Sequence, residues 1–295
     1  MRLTRQIGWT VRRKGVIEDG TLLATERHGN VRVMFYNLFG GTDGTAGASS
    51  VRLAFQMELI ATYLPDVLGL QECSPERYWA IGIADRLAEL GYREVTVPQE
   101  GISYTPLFYR TDRLTLKDSG TLIYSGTNNA NSKGLTWGVF ETRDARQFAI
   151  INTHFMYDES TFGSNRADRV RNAGELLETV SNLTAAYGNL PLLMGGDLND
   201  IVGSEPLKTL ETGGLSDAWQ NAAVRNDTSG RHPYPTYSPT DKVFVRYEAP
   251  KETYETAIDH VFAGVGTDIR AVVYLTSPWA LFSSDHMPLI CELNI

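Results

Sequence analysis

"LPLLMGGDLND", residues 190–200, sets an apolar strand-like run against two glycines and an Asp-x-Asn pair. A short apolar run bounded by turn residues fits a strand covered on both faces. Asp197 and Asn199 stand just where that strand stops. Glycine lacks a Cβ, so Gly195 and Gly196 are expected to let the backbone come close to a bound phosphate.

The same punctuation recurs along the chain. Asn37 follows "VRVMFY" (31–36), Glu72 follows "DVLGLQ" (66–71), and His154 ends "FAIINTH" (148–154). Asp259 and His260 lie within "AIDHVFA" (257–263), while Asp285 and His286 precede "MPLICELNI" (287–295). The remaining expected strands are "REVTVP" (93–98), "PLFYR" (106–110), "TWGVFET" (136–142) and "IRAVVYL" (269–275). Helices are expected over 51–64, 75–90 and 166–186. The first places Leu53, Met57, Ile60 and Leu64 on one face before Pro65, and the second ends at Gly91. The third repeats Val170, Ala173, Leu177 and Val180 at helical spacing, with Ser164 or Asn165 as its cap.

Alternating strands and helices without a long linker or repeat make residues 31–295 one α/β domain. Residues 1–30 form an N-terminal extension or added strands, with Ile7, Trp9 and Val11 alternating as in an amphipathic strand. "GGTDGTAGASS" (40–50) and "HPYPTYSPT" (232–240) are loops long enough to line a site, and neither continues into the Gly-Lys-Ser/Thr of a P-loop.

With 295 residues, 42% of them hydrophobic, the chain can bury a large core. Its 35 acidic against 27 basic residues, a formal charge of -8, show no sign in bulk composition of a basic surface broad enough to dominate duplex binding. A local basic groove is still allowed, and the acidity equally suits a divalent cation. Cys73 and Cys291 are expected as free buried thiols. "MRLTRQIGWTVRRKG" has no apolar core of a signal peptide and no membrane-length apolar run occurs, so a cytoplasmic location is the default expectation, secretion with a removed leader the alternative.

Taken singly, the strand-end residues have local roles: Asn37 starts a turn, Glu72 caps a helix, the Asp-x-Asn pair shapes a bend. Carboxylates, amides and imidazoles at the ends of so many strands together form the set a metal-assisted hydrolase needs. One Glu and one Asp with a nearby amide oxygen suffice for magnesium.

The ordered set "YNLFGG", "PDVLGLQE", "PLFYR", "INTHF", "GGDLND", "AIDHVF" and "SSDHMPL" resembles the endonuclease/exonuclease/phosphatase superfamily from about residue 31 onward. That superfamily includes pancreatic-type deoxyribonucleases, abasic-site endonucleases, sphingomyelinases and inositol polyphosphate phosphatases. The resemblance implies a four-layer α/β sandwich of two packed mixed β-sheets flanked by helices, with the active site at the sheet ends. It places Asn37, Glu72 and Asp285 at a magnesium site, Mn2+ being a possible substitute. It pairs Asp259 with His286 as an oriented general base, and leaves Asp197 as the rival water-orienting group. His154 would face the phosphate, Asn199 would donate a hydrogen bond to its oxygens, and Tyr109 would either do the same or pack in the core. His260, alternating with Asp259, points the other way and is structural. His28 and His232 read as surface residues, and Arg166 and Arg169 as a solvated helix face, with a hold on substrate phosphate as the alternative.

The implied activity is Mg2+-dependent hydrolysis of phosphoesters by a monomer, with nucleic-acid or nucleotide phosphodiesters as first substrate. The alternatives are a small phosphorylated metabolite, a phospholipid as in sphingomyelinases, and more remotely a non-catalytic binding protein. "TAIDHVF" departs from the Pro-x-Trp-Cys-Asp-Arg segment of inositol polyphosphate phosphatases, which puts that activity in doubt. No apolar docking hairpin supports the sphingomyelinase alternative.

Overall fold

Val31–Asn37 (β1) is buried along its whole length, which is why its sequence runs apolar instead of alternating. The computed structural model describes residues 24, 26–40, 46–97, 103–125, 132–157, 165–226, 237–238, 243–244, 254–276 and 278–295. The expectations for Ile7, Trp9, Val11, Ser164, His232 and most of the loop at 232–240 lie outside these residues.

After β1 come α1 (Ala46–Tyr63), β2 (Val67–Gln71), a π-helical turn (Pro75–Trp79), α2 (Ile83–Glu89), β3 (Tyr92–Glu94) and β4 (Leu107–Arg110). Then follow β5 (Leu114–Ile123), β6 (Gly134–Thr142), β7 (Gln147–His154), α3 (Arg166–Tyr187), β8 (Leu192–Asp197), α4 (Glu205–Thr212), β9 (Ser216–Asp217), α5 (Ala218–Asn221) and β10 (Val224–Arg225). The chain continues through β11 (Tyr237–Ser238), β12 (Val243–Phe244), β13 (Asp259–Ala263), β14 (Asp268–Tyr274), α6 (Pro278–Ser283) and β15 (Leu289–Asn294). Among the described residues, one sheet runs β10-β14-β15-β1-β2-β4-β3 and the other β5-β6-β7-β8-β13-β9, with β11-β12 a separate ribbon. Both sheets are mixed: β1 is parallel to β2 and antiparallel to β15, and β7 is parallel to β8 and antiparallel to β6.

The two sheets face each other across a core of Val33, Phe35, Phe140, Phe148, Ile150, Leu193 and Val261. Because successive strand residues point to opposite faces, Met34 and Tyr36 turn outward to meet Leu53 and Ile60 of α1 and Leu87 of α2. On the far side, Ala149, Ile151 and Met194 pack on Ala173 and Leu176 of α3 and Leu207 and Leu210 of α4. The result is the expected helix–sheet–sheet–helix sandwich. Ahead of β1, Ala24 is buried and Arg27 pairs with Asp66 at 2.7 Å, so this stretch packs onto the domain. No described helix is long and apolar enough to cross a membrane.

Two local expectations change. The segment 75–90 divides because Gly82, at φ 82°, breaks the helix between the π-helical turn and α2. β5 has no counterpart among the expected strands: it is an edge strand, largely exposed, and edges carry polar residues that erase an apolar signal. The glycines before Asp197 have a packing role of their own. A Cβ on Gly195 would lie 2.6 Å from the Phe35 ring, and one on Gly196 would lie 2.0 Å from the Thr153 carbonyl oxygen. Gly196 also sits at φ 138°, a region that L side chains rarely enter.

Gly195→Ala and Gly196→Ala are each expected to cost about 1–3 kcal/mol, by overpacking in the first case and by clash with backbone strain in the second. Urea unfolding should show a lower midpoint at unchanged slope. A wild-type midpoint for both would remove glycine's packing role.

Candidate active site

Strand register alone brings the polar residues to one end of the sandwich. Asn37 pairs with Gln71 across β1 and β2, and Asp197 lies opposite both His154 of β7 and Asp259 of β13. Gly134, the first residue of β6, lies opposite His154. Glu72 is the residue after β2, and Asp285 and His286 lie just ahead of β15.

Asp197 is the hub, at 2% exposure. Its Oδ2 accepts from Asn37 Nδ2 at 2.9 Å and lies 3.3 Å from His154 Nε2 and 3.8 Å from His286 Nε2. Its Oδ1 accepts from the Asn199 backbone N–H at 2.9 Å. Glu72 accepts from Asn37 Nδ2 at 3.2 Å and from the Gly40 N–H at 2.6 Å. The Asn37 Oδ1 is taken by the Phe39 N–H at 3.0 Å. Asn37 therefore turns its amide nitrogen to the carboxylates and acts as their orienting donor. His286 Nδ1 lies 2.7 Å from Asp259 Oδ2, and its Nε2 lies 3.9 Å from Asp285 Oδ1.

Three non-glycine residues here adopt left-handed backbone: Phe39 at φ 62°, Glu72 at 54° and Asn199 at 51°. Such conformations are costly and persist where surroundings over-determine them. Tyr78 Oη donates to the Leu38 carbonyl, Gln56 Nε2 donates to the same oxygen at 3.1 Å, and Asn199 Nδ2 donates to the Phe155 carbonyl at 3.0 Å. One N–H of Asn199 is thus committed to holding its own loop.

The electrostatics follow from burial against charge. Burial opposes ionisation of Asp197, yet His154, His286 and Lys133 together hold its carboxyl well below the usual range. For Glu72 burial is likewise outweighed by His154, Lys133 and His286 with the Gly40 N–H, and its pKa falls. Burial, reinforced by Lys133, keeps the His154 imidazole below its ordinary value. His286 goes the other way: burial opposes its charge, but Asp259, Asp285 and Asp197 raise its pKa well above normal. Burial pushes Asp259 up to about 6 despite the pull of His286.

One member of the cluster escaped the sequence analysis. Lys133, at 6% exposure, sets its Nζ 2.5 Å from His154 Nε2 and 5.0 Å from the centre of the Tyr157 ring. Burial lowers its pKa to about 8, with Glu72 and Asp197 acting in the opposite sense. Its only signal in the sequence is its position before Gly134, the start of a strand antiparallel to the one ending in His154.

Not every expected residue arrives. Tyr109 pairs with Val67, at the end of β2 remote from Gln71, and its ring packs on Phe140 with centroids 5.5 Å apart. It is a core residue because β4 runs antiparallel to β2. Arg169 is no solvated face: it is buried and bonds Asp200 Oδ2 at 2.9 Å, tying α3 to the loop after Asp197. Arg166 is exposed. His260 turns away from the site, its Nε2 3.0 Å from the Asp200 carbonyl oxygen. The His28 backbone N–H donates to Glu292, outside the site. Cys73 and Cys291 are free and buried.

Two sets of side chains could hold a cation among the described residues: Glu72, His154 and Asp197, and Asp197, Asp259 and His286, with ligand atoms within 4.8 Å of one another in each. Asp285 joins neither set. The first presents two carboxylates, both held in the ionised form, as oxygen donors that fit a divalent cation.

A family model described as the Endonuclease/Exonuclease/phosphatase family matches residues 34–286. The chain belongs to this family. Among solved structures, a mannosyl-6-phosphatase from Bacteroides thetaiotaomicron superposes with a TM-score of 0.69 at 22% identity, covering 90% of this chain and 99% of that one. The human Nocturnin catalytic domain with bound sulfate gives a TM-score of 0.64 at 21% identity, over 91% and 95% of the two chains. D. rerio TDP2 complexed with a single-strand DNA product gives 0.64 at 16% identity, over 90% and 99%. At these identities the likeness is one of fold. No curated protein sequence matches the chain significantly.

The pH behaviour of His286 tests this electrostatic arrangement. Because its folded pKa lies above the ordinary imidazole value, the group adds stability that is complete below that value and is lost as pH rises through the folded pKa. Asp259→Asn removes one of the raising carboxylates, so the His286 pKa should fall and that stability should disappear at lower pH. An NMR titration of the His286 ring checks this, and an unchanged titration would contradict it.

Proposed function

We propose that the chain is a divalent-metal-dependent phosphoester hydrolase, with magnesium as the metal. The observation that carries this reading is the convergence of half-buried Glu72 with buried Asp197, His154 and the His286–Asp259 pair at the strand ends. Glu72 and Asp197, with His154 beside them, would hold the ion while Asn37 orients both carboxylates, and Asp285 adds charge around His286. Bound there, the ion supplies Lewis-acid activation of a phosphoryl oxygen.

The chain's own groups divide the proton work. Asp197 Oδ2, an anion held between two imidazoles, is placed to accept the proton of an attacking water. His286 has carboxylates on both ring nitrogens, which favours the imidazolium; Asp259 holds Nδ1–H and leaves Nε2–H to stabilise the phosphoryl oxygens or protonate the leaving oxygen. His154 stays neutral, its Nε2 accepting from Lys133 beside Asp197. Burial of Asp197, His154, Asp259 and His286 strengthens their interactions.

A phosphodiester of nucleic acid or of a nucleotide is the first substrate reading, and TDP2 with its bound DNA product is a relative in fold that supports it. A second reading, a small phosphorylated metabolite, is favoured by a cleft of about 560 Å³ at the loop that follows Asn199 in sequence, lined by Arg166, Asp200, Ile201, Val202, Glu205 and Lys208. That is the size of a small-molecule site, and the mannosyl-6-phosphatase shares the fold.

Hydrolysis of bis-p-nitrophenyl phosphate or p-nitrophenyl phosphate should vanish with chelator and return with Mg2+ or Mn2+. Asp197→Ala and His286→Ala should each lower turnover at least about a hundredfold. Full activity of demetallated protein, or retained turnover in both variants, would overturn the proposal. A panel of supercoiled plasmid, single-stranded oligonucleotide, cyclic nucleotides, sugar phosphates and sphingomyelin separates the substrate readings.

A further inference from the structure

Lys133 is buried at 6% exposure, yet no carboxylate among the described residues reaches it within the 4.0 Å of an ion pair. Among the described residues its one polar partner is the His154 ring, 2.5 Å away at Nε2 and 3.3 Å at Nδ1. An ammonium has three N–H donors and no acceptor. A single imidazole acceptor leaves this one under-partnered, and a buried cation in that state costs stability. Lysines that serve structure alone escape the cost by ion pairing or by extending the ammonium to solvent. Lys133 does neither. It sits one residue before β6, whose first residue lies opposite His154, at the strand end shared with Asp197.

We propose that Lys133 is a phosphate-binding residue: its ammonium takes a non-bridging oxygen of the phosphoryl group being transferred, and afterwards the same oxygen of the phosphate product. This rests on the phosphoester reading above. The missing partner of the ammonium is then an anion, and the site reserves one charged donor for it on the side of His154. Tyr157, whose ring lies against the ammonium, holds the donor in place without neutralising it.

The test compares wild type, Lys133→Met and Lys133→Arg by calorimetric titration with inorganic phosphate in the presence of magnesium. Lys133→Met keeps the apolar stem and removes the charge. It should weaken phosphate binding on the order of 10- to 100-fold, the scale of one charged hydrogen bond, while the ligand-free protein melts at or above the wild-type temperature. Lys133→Arg should bind more tightly than Lys133→Met. In the wild-type chain, the Cε resonance of Lys133 should move on adding phosphate and stay still with chloride at equal ionic strength, a readout that needs no variant to fold. Phosphate affinity of Lys133→Met within about threefold of wild type, or a silent Lys133 resonance, would overturn the role. If wild type binds phosphate and hydrolyses phosphoesters while either of those results is obtained, only this inference falls. If wild type does neither, the phosphoester reading falls with it.

Discussion

A negative charge at 2% exposure has to be held by something, and at Asp197 that requirement organises one whole end of the molecule. Desolvating a carboxylate is expensive unless donors and cations surround it. Asn37 comes from the opposite sheet, Asn199 from the loop beyond, and the two imidazoles from β7 and from the segment before β15. The site is thus assembled across the sandwich. The inter-sheet core has to hold the two layers at a fixed separation for one 2.9 Å hydrogen bond, Asn37 to Asp197, to form.

That separation depends on residues far from any chemistry. Phe35 enters the space left by Gly195 and by Gly69, where an added Cβ would meet its ring at 2.6 and 2.9 Å. Two residues further along β1 stands Asn37. On the outer side, Gln56 of α1 reaches the Leu38 carbonyl at 3.1 Å and the Ser283 carbonyl at 2.8 Å. It thereby ties the end of β1 to the segment that leads into Asp285 and His286. Packing and polar tethering act on the same few residues, so the left-handed turns at Phe39 and Glu72 are sustained from both faces.

This division explains what the sequence makes legible. Strands buried on both faces announce themselves as apolar runs, and the residue at which the run stops is the residue at the sheet end. Asn37, Glu72, His154 and Asp197 are all found that way. Their mutual geometry is not, because pairing direction leaves no local trace. Tyr109 sits at the close of an apolar run like the others, but β4 is antiparallel to β2, so its close is at the wrong end. Lys133 fails for the converse reason: it stands at the start of a strand, where no apolar run has yet drawn attention. β5 is hidden by its exposure at an edge, and the packing purpose of the two glycines depends on Phe35 and Thr153, more than 40 residues away in sequence. Sequence pattern reports burial, and burial reports partners only when strand order is known.

The distribution of protons completes the physical picture. Two histidines sit within 4 Å of the same Asp197 oxygen, yet their surroundings drive them apart. Burial, with Lys133 beside it, lowers the His154 pKa; His286, against the same effect of burial, is raised by the carboxylates at both its nitrogens. Pairs of titratable groups pushed in opposite directions mark acid and base assignments. An aspartate between a neutral and a charged imidazole has a defined polarity, with its proton-donating neighbour on the His286 side. The burial that makes Asp197 costly is therefore also what separates the two imidazoles, since in water neither neighbour would carry enough weight to do so.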